Sequence, residues 1–208
     1  MAEAALAYAL TTKTRVKNKI GITVTDFDTI IDRLINSATD WIENACGGKR
    51  FKSTAYSNEV YSVDNRGQRY LPLRQSPVTA LTSLYYRAGT PSTPNWTAFT
   101  SDQYELVEGG ETGLVRVYFS LPYGENVIRA NYTAGYLINW TNAGDMSTHT
   151  LPADISELCD RLVIKAFKRR EAMGKSSEGF NGATVSWSRE LDEDDKLTIE
   201  RYLRIPFV

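Results

Sequence analysis

Residues 26–46, DFDTIIDRLINSATDWIENAC, decide the fold, because their apolar side chains recur at steps of three and four. Phe27, Ile30, Ile31, Leu34, Ile35, Ala38, Trp41, Ile42 and Ala45 form one stripe, with Asp28, Asp32, Arg33, Asp40 and Glu43 largely outside it. That period predicts an amphipathic helix, capped by Thr25 or Asp26 and ended by Gly47-Gly48. A matching stretch, residues 153–173 (ADISELCDRLVIKAFKRREAM), places Ile155, Leu158, Cys159, Leu162, Val163, Ala166 and Phe167 on a second stripe. Pro152 suits its first turn, where a missing N–H costs nothing. Asp154, Glu157 and Asp160 come early and Lys165, Lys168, Arg169 and Arg170 late, the order a helix dipole favours. Two such helices predict a helical body that the intervening chain interrupts.

From about Lys52 the period becomes strand-like. Segments 54–63, 69–73, 78–86, 103–107, 114–119 and 127–136 are rich in Tyr, Val, Leu and Thr and are punctuated by Asn65-Arg66-Gly67, Pro77, Gly109-Gly110, Gly113 and Gly124. In LVRVYF, Val115, Val117 and Phe119 alternate with Arg116 and Tyr118, the pattern of a strand with one buried face. Parallel pairing would need helical crossovers, which this stretch lacks, so the expectation is an antiparallel sandwich or small barrel. The fold class is therefore α+β, a small helical bundle interrupted by an inserted antiparallel β module. Residues 1–52 and 152–208 supply the helical domain and 53–151 the insertion.

Outside these blocks, residues 11–20 (TTKTRVKNKI) read as a short basic helix led by threonine and closed by Gly21. Residues 174–187, with three glycines, read as a mobile loop, and a last helix is expected from about Asp192 to Leu203. The chain then ends on Arg204-Ile205-Pro206-Phe207-Val208, an apolar run that needs a groove.

Composition narrows the function. With 24 basic and 25 acidic residues the formal charge is −1, which removes the basic excess of a protein held to nucleic acid by phosphate neutralisation. The start, MAEAALAYAL, has Glu3 where a secretory signal carries lysine or arginine, and no apolar run reaches the length of a membrane span. Cys46 and Cys159 fall at helical positions and read as buried free thiols.

No catalytic, cofactor or metal constellation assembles. Gly174-Lys175-Ser176 imitates a phosphate loop, but Arg169 stands where the first glycine is required and the fragment follows a helix. The glycines of EGGETG, 108–113, make a turn between acidic residues. His149 is the chain's one histidine and reads as a surface residue, so neither a triad nor a zinc site can be built. Paired carboxylates beside the aromatics Tyr85, Tyr86, Trp96 and Trp140 would allow sugar chemistry or sugar stacking. The carboxylates are equally accounted for by solvated helix faces, and the aromatics by strand packing.

Several local patterns occur in a telling order: the threonine-led helix ending at Ile20-Gly21-Ile22; the amphipathic helix followed by Gly47-Gly48-Lys49-Arg50-Phe51; Leu71-Pro72-Leu73 and then Ser76-Pro77-Val78; IRANYTAGY at 128–136; and Leu151-Pro152 opening a helix with a basic end. Together they resemble the head-tail connector (adaptor) proteins of long-tailed bacteriophages, over most of residues 11–208. The β block is long for the compact, largely helical members of that family. The resemblance implies a virion structural protein, made in the host cytoplasm, that forms a ring, typically dodecameric, beneath the portal protein. Such a ring extends the channel through which double-stranded DNA passes without sequence-specific binding, and it offers a surface to the next neck or tail-completion protein. It implies no enzyme activity, cofactor or membrane. Portal attachment is expected from Leu203, Ile205, Pro206, Phe207 and Val208, the apolar end of the chain. The alternative is a β-rich carbohydrate-binding or other host-recognition module of a virion.

Overall fold

The central helices form where the apolar period places them. In the computed structural model, which describes residues 8–88, 93–140, 149–170, 177–180, 183–186 and 192–203, α1 is Lys13–Ile20, α2 Asp28–Ala45, α3 Ala153–Arg169 and α4 Glu193–Tyr202. Ile31, Ile35 and Ile42 of α2 and Ile155, Leu158 and Val163 of α3 are fully buried. Phe27 meets Phe167 edge-on, with ring centroids 5.6 Å apart. Leu162, expected on the same stripe, is half-buried.

Two expectations about α2 are corrected. Neither Thr25 nor Asp26 caps it: Phe27 occupies the cap position without a side-chain bond, set there by its packing on Phe167. Asp32 and Glu43, read as solvent-facing, are 7% and 2% exposed. The reason lies upstream, where Ala9, Leu10 and Thr11 are themselves buried. The Leu10 N–H donates to Thr39 Oγ1 at 3.2 Å, and Lys13 Nζ reaches Asp32 Oδ2 at 3.0 Å. Thus α2 is covered on a polar flank as well as an apolar one. In α1, Thr12 caps the Arg15 N–H and Gly21 closes the helix in the left-handed region, as its sequence predicts.

The strands are β1 (Thr54–Val63), β2 (Tyr70–Pro72), β3 (Val78–Arg87), β4 (Trp96–Ala98), β5 (Tyr104–Leu106), β6 (Leu114–Val117), β7 (Gly124–Ala134), β8 (Ser177–Phe180) and β9 (Ala183–Ser186). One antiparallel sheet has the order β1-β7-β3-β4 and a second β2-β6-β5. Both contribute to one core that includes Tyr61, Leu71, Leu84, Val115, Val117, Ile128 and Tyr132. The expected sandwich is therefore present, within an α+β fold. Strand β4 escaped the sequence reading because Pro94 and Asn95 lead into it. Part of the expected mobile loop is instead the hairpin β8–β9, paired from Ser177↔Ser186 to Phe180↔Ala183. Strands of four residues carry too few periods to be read from sequence.

The chain gathers into two compact units. One combines residues up to Gly48 with Ile138–Ile205; the other is built on Lys49–Leu137, where the sequence reading drew 53–151. Ile138 and Leu151 are buried, and Trp140 Nε1–H donates to the Ala9 carbonyl at 2.7 Å, which ties this stretch to the helical unit. Within the β unit the two ends of the chain run side by side. Ser53 N–H donates to Tyr136 O at 2.7 Å and Tyr136 N–H to Phe51 O at 2.6 Å. Gly135 permits this approach, since a Cβ there would sit 2.7 Å from the Lys52 carbonyl.

Candidate functional site

The basic helix α1 is spent inside the molecule. Arg15 Nη2 and Lys19 Nζ lie 3.0 and 2.9 Å from Oδ2 of the fully buried Asp160, to which Thr11 Oγ1 also donates. Lys17 Nζ pairs with Asp28 at 2.8 Å and Lys13 with Asp28 and Asp32. These cations fasten α1 to α2 and α3, so the short basic helix is an internal staple.

The same logic holds α4. Buried Asp195 accepts from Arg161 Nε at 2.9 Å and Lys165 Nζ at 3.2 Å, while Lys165 also reaches Asp192 at 2.6 Å. At the other end Arg201 Nη1 and the Tyr202 hydroxyl bind Asp154, each at 2.9 Å. Ile199 is the buried apolar side chain of α4, and Leu197 is 53% exposed. The helix is thus attached mainly by charge and delivers Leu203, its terminal cap residue and 46% exposed, to the surface. Of the expected portal contacts, Ile205, Pro206, Phe207 and Val208 lie outside the described residues, as do Gly174-Lys175-Ser176.

Carboxylates and aromatics that might have built a sugar site have other partners. Glu59 Oε2 accepts from the hydroxyls of Tyr61 and, at 2.6 Å, Tyr132, and Arg74 stands 3.4 Å from its other oxygen. Burial, reinforced by the Glu59 charge, pushes both phenols well above the ordinary tyrosine range. Tyr86 packs on Phe99 at 5.1 Å, while Tyr85 and Trp96 lie against Arg129. Trp140 packs on His149 with ring centroids 4.2 Å apart and the planes tilted, and His149 Nδ1 accepts from the Asn139 N–H at 3.1 Å. His149, expected at the surface, is half-buried in that contact. Among the described residues no group of three or more His, Cys, Asp or Glu could hold a metal ion, and no helix is long and apolar enough to cross a membrane. Cys46 and Cys159 are buried free thiols.

What distinguishes this molecule is therefore its architecture, and comparison with known proteins bears on that. The family model described as head completion protein matches residues 9–192, both units included. The chain belongs to the head completion protein family. Kinship with head-tail connector proteins, expected from the order of its local patterns, is thereby shown. Comparison with curated proteins gives no match. Among solved structures, a chain from the neck of an empty GTA particle, computed with C6 symmetry, superposes with a TM-score of 0.60 at 16% identity. The superposition covers 100% of this chain and 97% of that one. At that identity the likeness establishes a common fold. For a head completion protein, the β unit and the helical unit are accordingly parts of one shared architecture.

Proposed function

We propose that this chain is a non-enzymatic structural component of the phage neck. It assembles as a ring, dodecameric in the virion, beneath the portal, continues the DNA channel and presents a surface to the next neck or tail-completion protein. The observation that carries this reading is family membership across residues 9–192. Two properties of the chain support it. Ile30 and Trp41, expected on one stripe with the buried Ile31, Ile35 and Ile42, are instead 43% and 41% exposed, as apolar surface suited to side-by-side packing of subunits. The formal charge of −1, with the cations of α1 already paired, suits a channel along which DNA must slide, because a basic lumen would retain phosphates.

Attachment to the portal is assigned to Leu203 and the tail beyond it, Ile205, Pro206, Phe207 and Val208. Leu203 is exposed at the end of a helix fixed by ion pairs, so the residues after it start from a defined point. Each large apolar side chain buried in a partner would contribute about 1.5–3 kcal/mol before ordering costs, repeated around the ring. Deletion of residues 204–208 tests this assignment. The truncated protein is expected to keep its thermal stability and lose binding to portal particles in co-sedimentation; undiminished binding removes the tail as the attachment site. Electron microscopy of the intact chain mixed with portal particles tests the neck reading itself, which fails if no added ring density forms.

A further inference from the structure

Most cations described above are matched by an acid, and Arg129 is not. It stands near the middle of β7, between the core residues Ile128 and Ala130, on the face of the four-stranded sheet opposite the core. Its guanidinium carbon lies 4.5 Å from the ring centroid of Tyr85 and 4.8 Å from that of Trp96. Sheet register builds this group: Arg129 is paired with Tyr85 on β3, and Trp96 on β4 is paired with Arg87, two residues along. Arg74, Arg116, Arg161 and Arg201 each reach a carboxylate. Arg129 reaches none among the described residues, and its Nε is enclosed without an acceptor.

Stacking against two rings holds the guanidinium in place and removes water from part of it, while enclosed Nε–H goes unsatisfied. Only Nε is enclosed without a partner; the residue as a whole is half-buried, so the terminal nitrogens can still be reached. The group that fits them is a planar acceptor pair arriving end-on, one oxygen to each terminal nitrogen. Around Arg129 the sheet face is otherwise neutral, with Val60, Ala98, Ser83 and Asn131 in register beside it and Arg87 as the second cation. A nucleic-acid backbone is bound by a track of cations. An arginine held between tryptophan and tyrosine and partly removed from water is instead the composition of a protein interface centre.

We propose that Arg129, with Tyr85 and Trp96, is a binding site for a carboxylate presented by a protein neighbour. The identity of that neighbour as another component of the assembled neck rests on the function proposed above; the chemistry of the site does not. Two measurements separate them. In the free full-length chain, the Arg129 Nε–H and Trp96 indole N–H resonances are followed by NMR during titration with a blocked hexaglutamate peptide and, separately, with a duplex oligonucleotide. Saturable shifts with the peptide are expected, and the Trp96 shift is expected to vanish in Arg129→Lys, which keeps the charge and loses the planar fork. Absence of a saturable peptide shift, or a stronger response to the duplex, overturns the site. In the second measurement, Arg129→Ala, checked for folding by circular dichroism, is expected to reduce recovery of assembled neck complexes at least tenfold. Unimpaired assembly overturns the assignment of the neighbour. If the wild-type chain forms no complex at all, the neck reading fails and the titration still decides the carboxylate site.

Discussion

Glu59 holds two tyrosines with one oxygen, and its side chain is only 19% exposed. Replacing it by leucine strands the hydroxyls of Tyr61 and Tyr132 with little beyond their own 3.3 Å contact and the Arg74 N–H. Glu59→Leu is expected to cost about 1–3 kcal/mol in urea unfolding, the penalty of a buried polar group without its acceptor. In the helical unit, Ile31 and Leu158 are fully buried, and Ile31→Ala and Leu158→Ala should each cost about 2–5 kcal/mol by the same measurement. Retained stability in either would show that the α2–α3 contact is not the core of that unit. Burial pushes the Cys159 thiol up to about 12. At pH 8 it is expected to resist thiol reagents until denaturant is added, whereas native reactivity would mean that the α2–α3 seam opens.

At the scale of elements, α4, like α1, depends for its attachment on charge more than on apolar burial. Asp192 is held below the usual carboxylate range by its hydrogen bond from Lys165. For Lys165, burial works against the charge, but hydrogen bonds to Asp192 and Asp195 outweigh it and the pKa is raised. A lowered acid stabilises above its unfolded value, about 3.9, and loses that contribution as pH falls through the lowered value. A raised lysine stabilises below about 10.4 and loses its contribution as pH rises through the raised value. Hydrogen exchange, corrected for intrinsic rates, should therefore show α4 protected between these limits and released outside them while α3 stays closed. Salt of about 1 M, where the screening length falls to about 3 Å, should loosen α4 in the same selective way. Uniform loss of protection in α3 and α4 together would mean that they form one cooperative element.

For the molecule as a whole, adjacency of Phe51, Ser53 and Tyr136 makes the β unit a candidate for removal. We propose that it is an insertion the helical unit can fold without. Joining Phe51 to Tyr136 through a short linker should preserve the helical circular dichroism and a cooperative melt. Collapse of the helical signal would show that the two units depend on each other. The cut is placed at Tyr136 because Ile138 and Leu151 are buried and Trp140 bonds to Ala9.

Much of the fold was legible because its elements are governed by local periodicity. The stripe of α2, the stripe and charge order of α3, the Thr12 and Gly21 ends of α1 and six of the strands follow from neighbouring residues alone. Family kinship was legible as well, in the order of short patterns that fix turns and helix ends. What tertiary structure decided depends on residues distant in sequence. It buried Asp32 and Glu43, gave the short strands β4, β8 and β9 their partners, and sent every cation of α1 to an acid on α2 or α3. It also left Arg129 between two rings with no acid in reach among the described residues. Periodicity tells which side of an element faces apolar cover. Whether a charged side chain finds an opposite charge there is settled only when chain segments far apart in sequence are brought within a few ångströms.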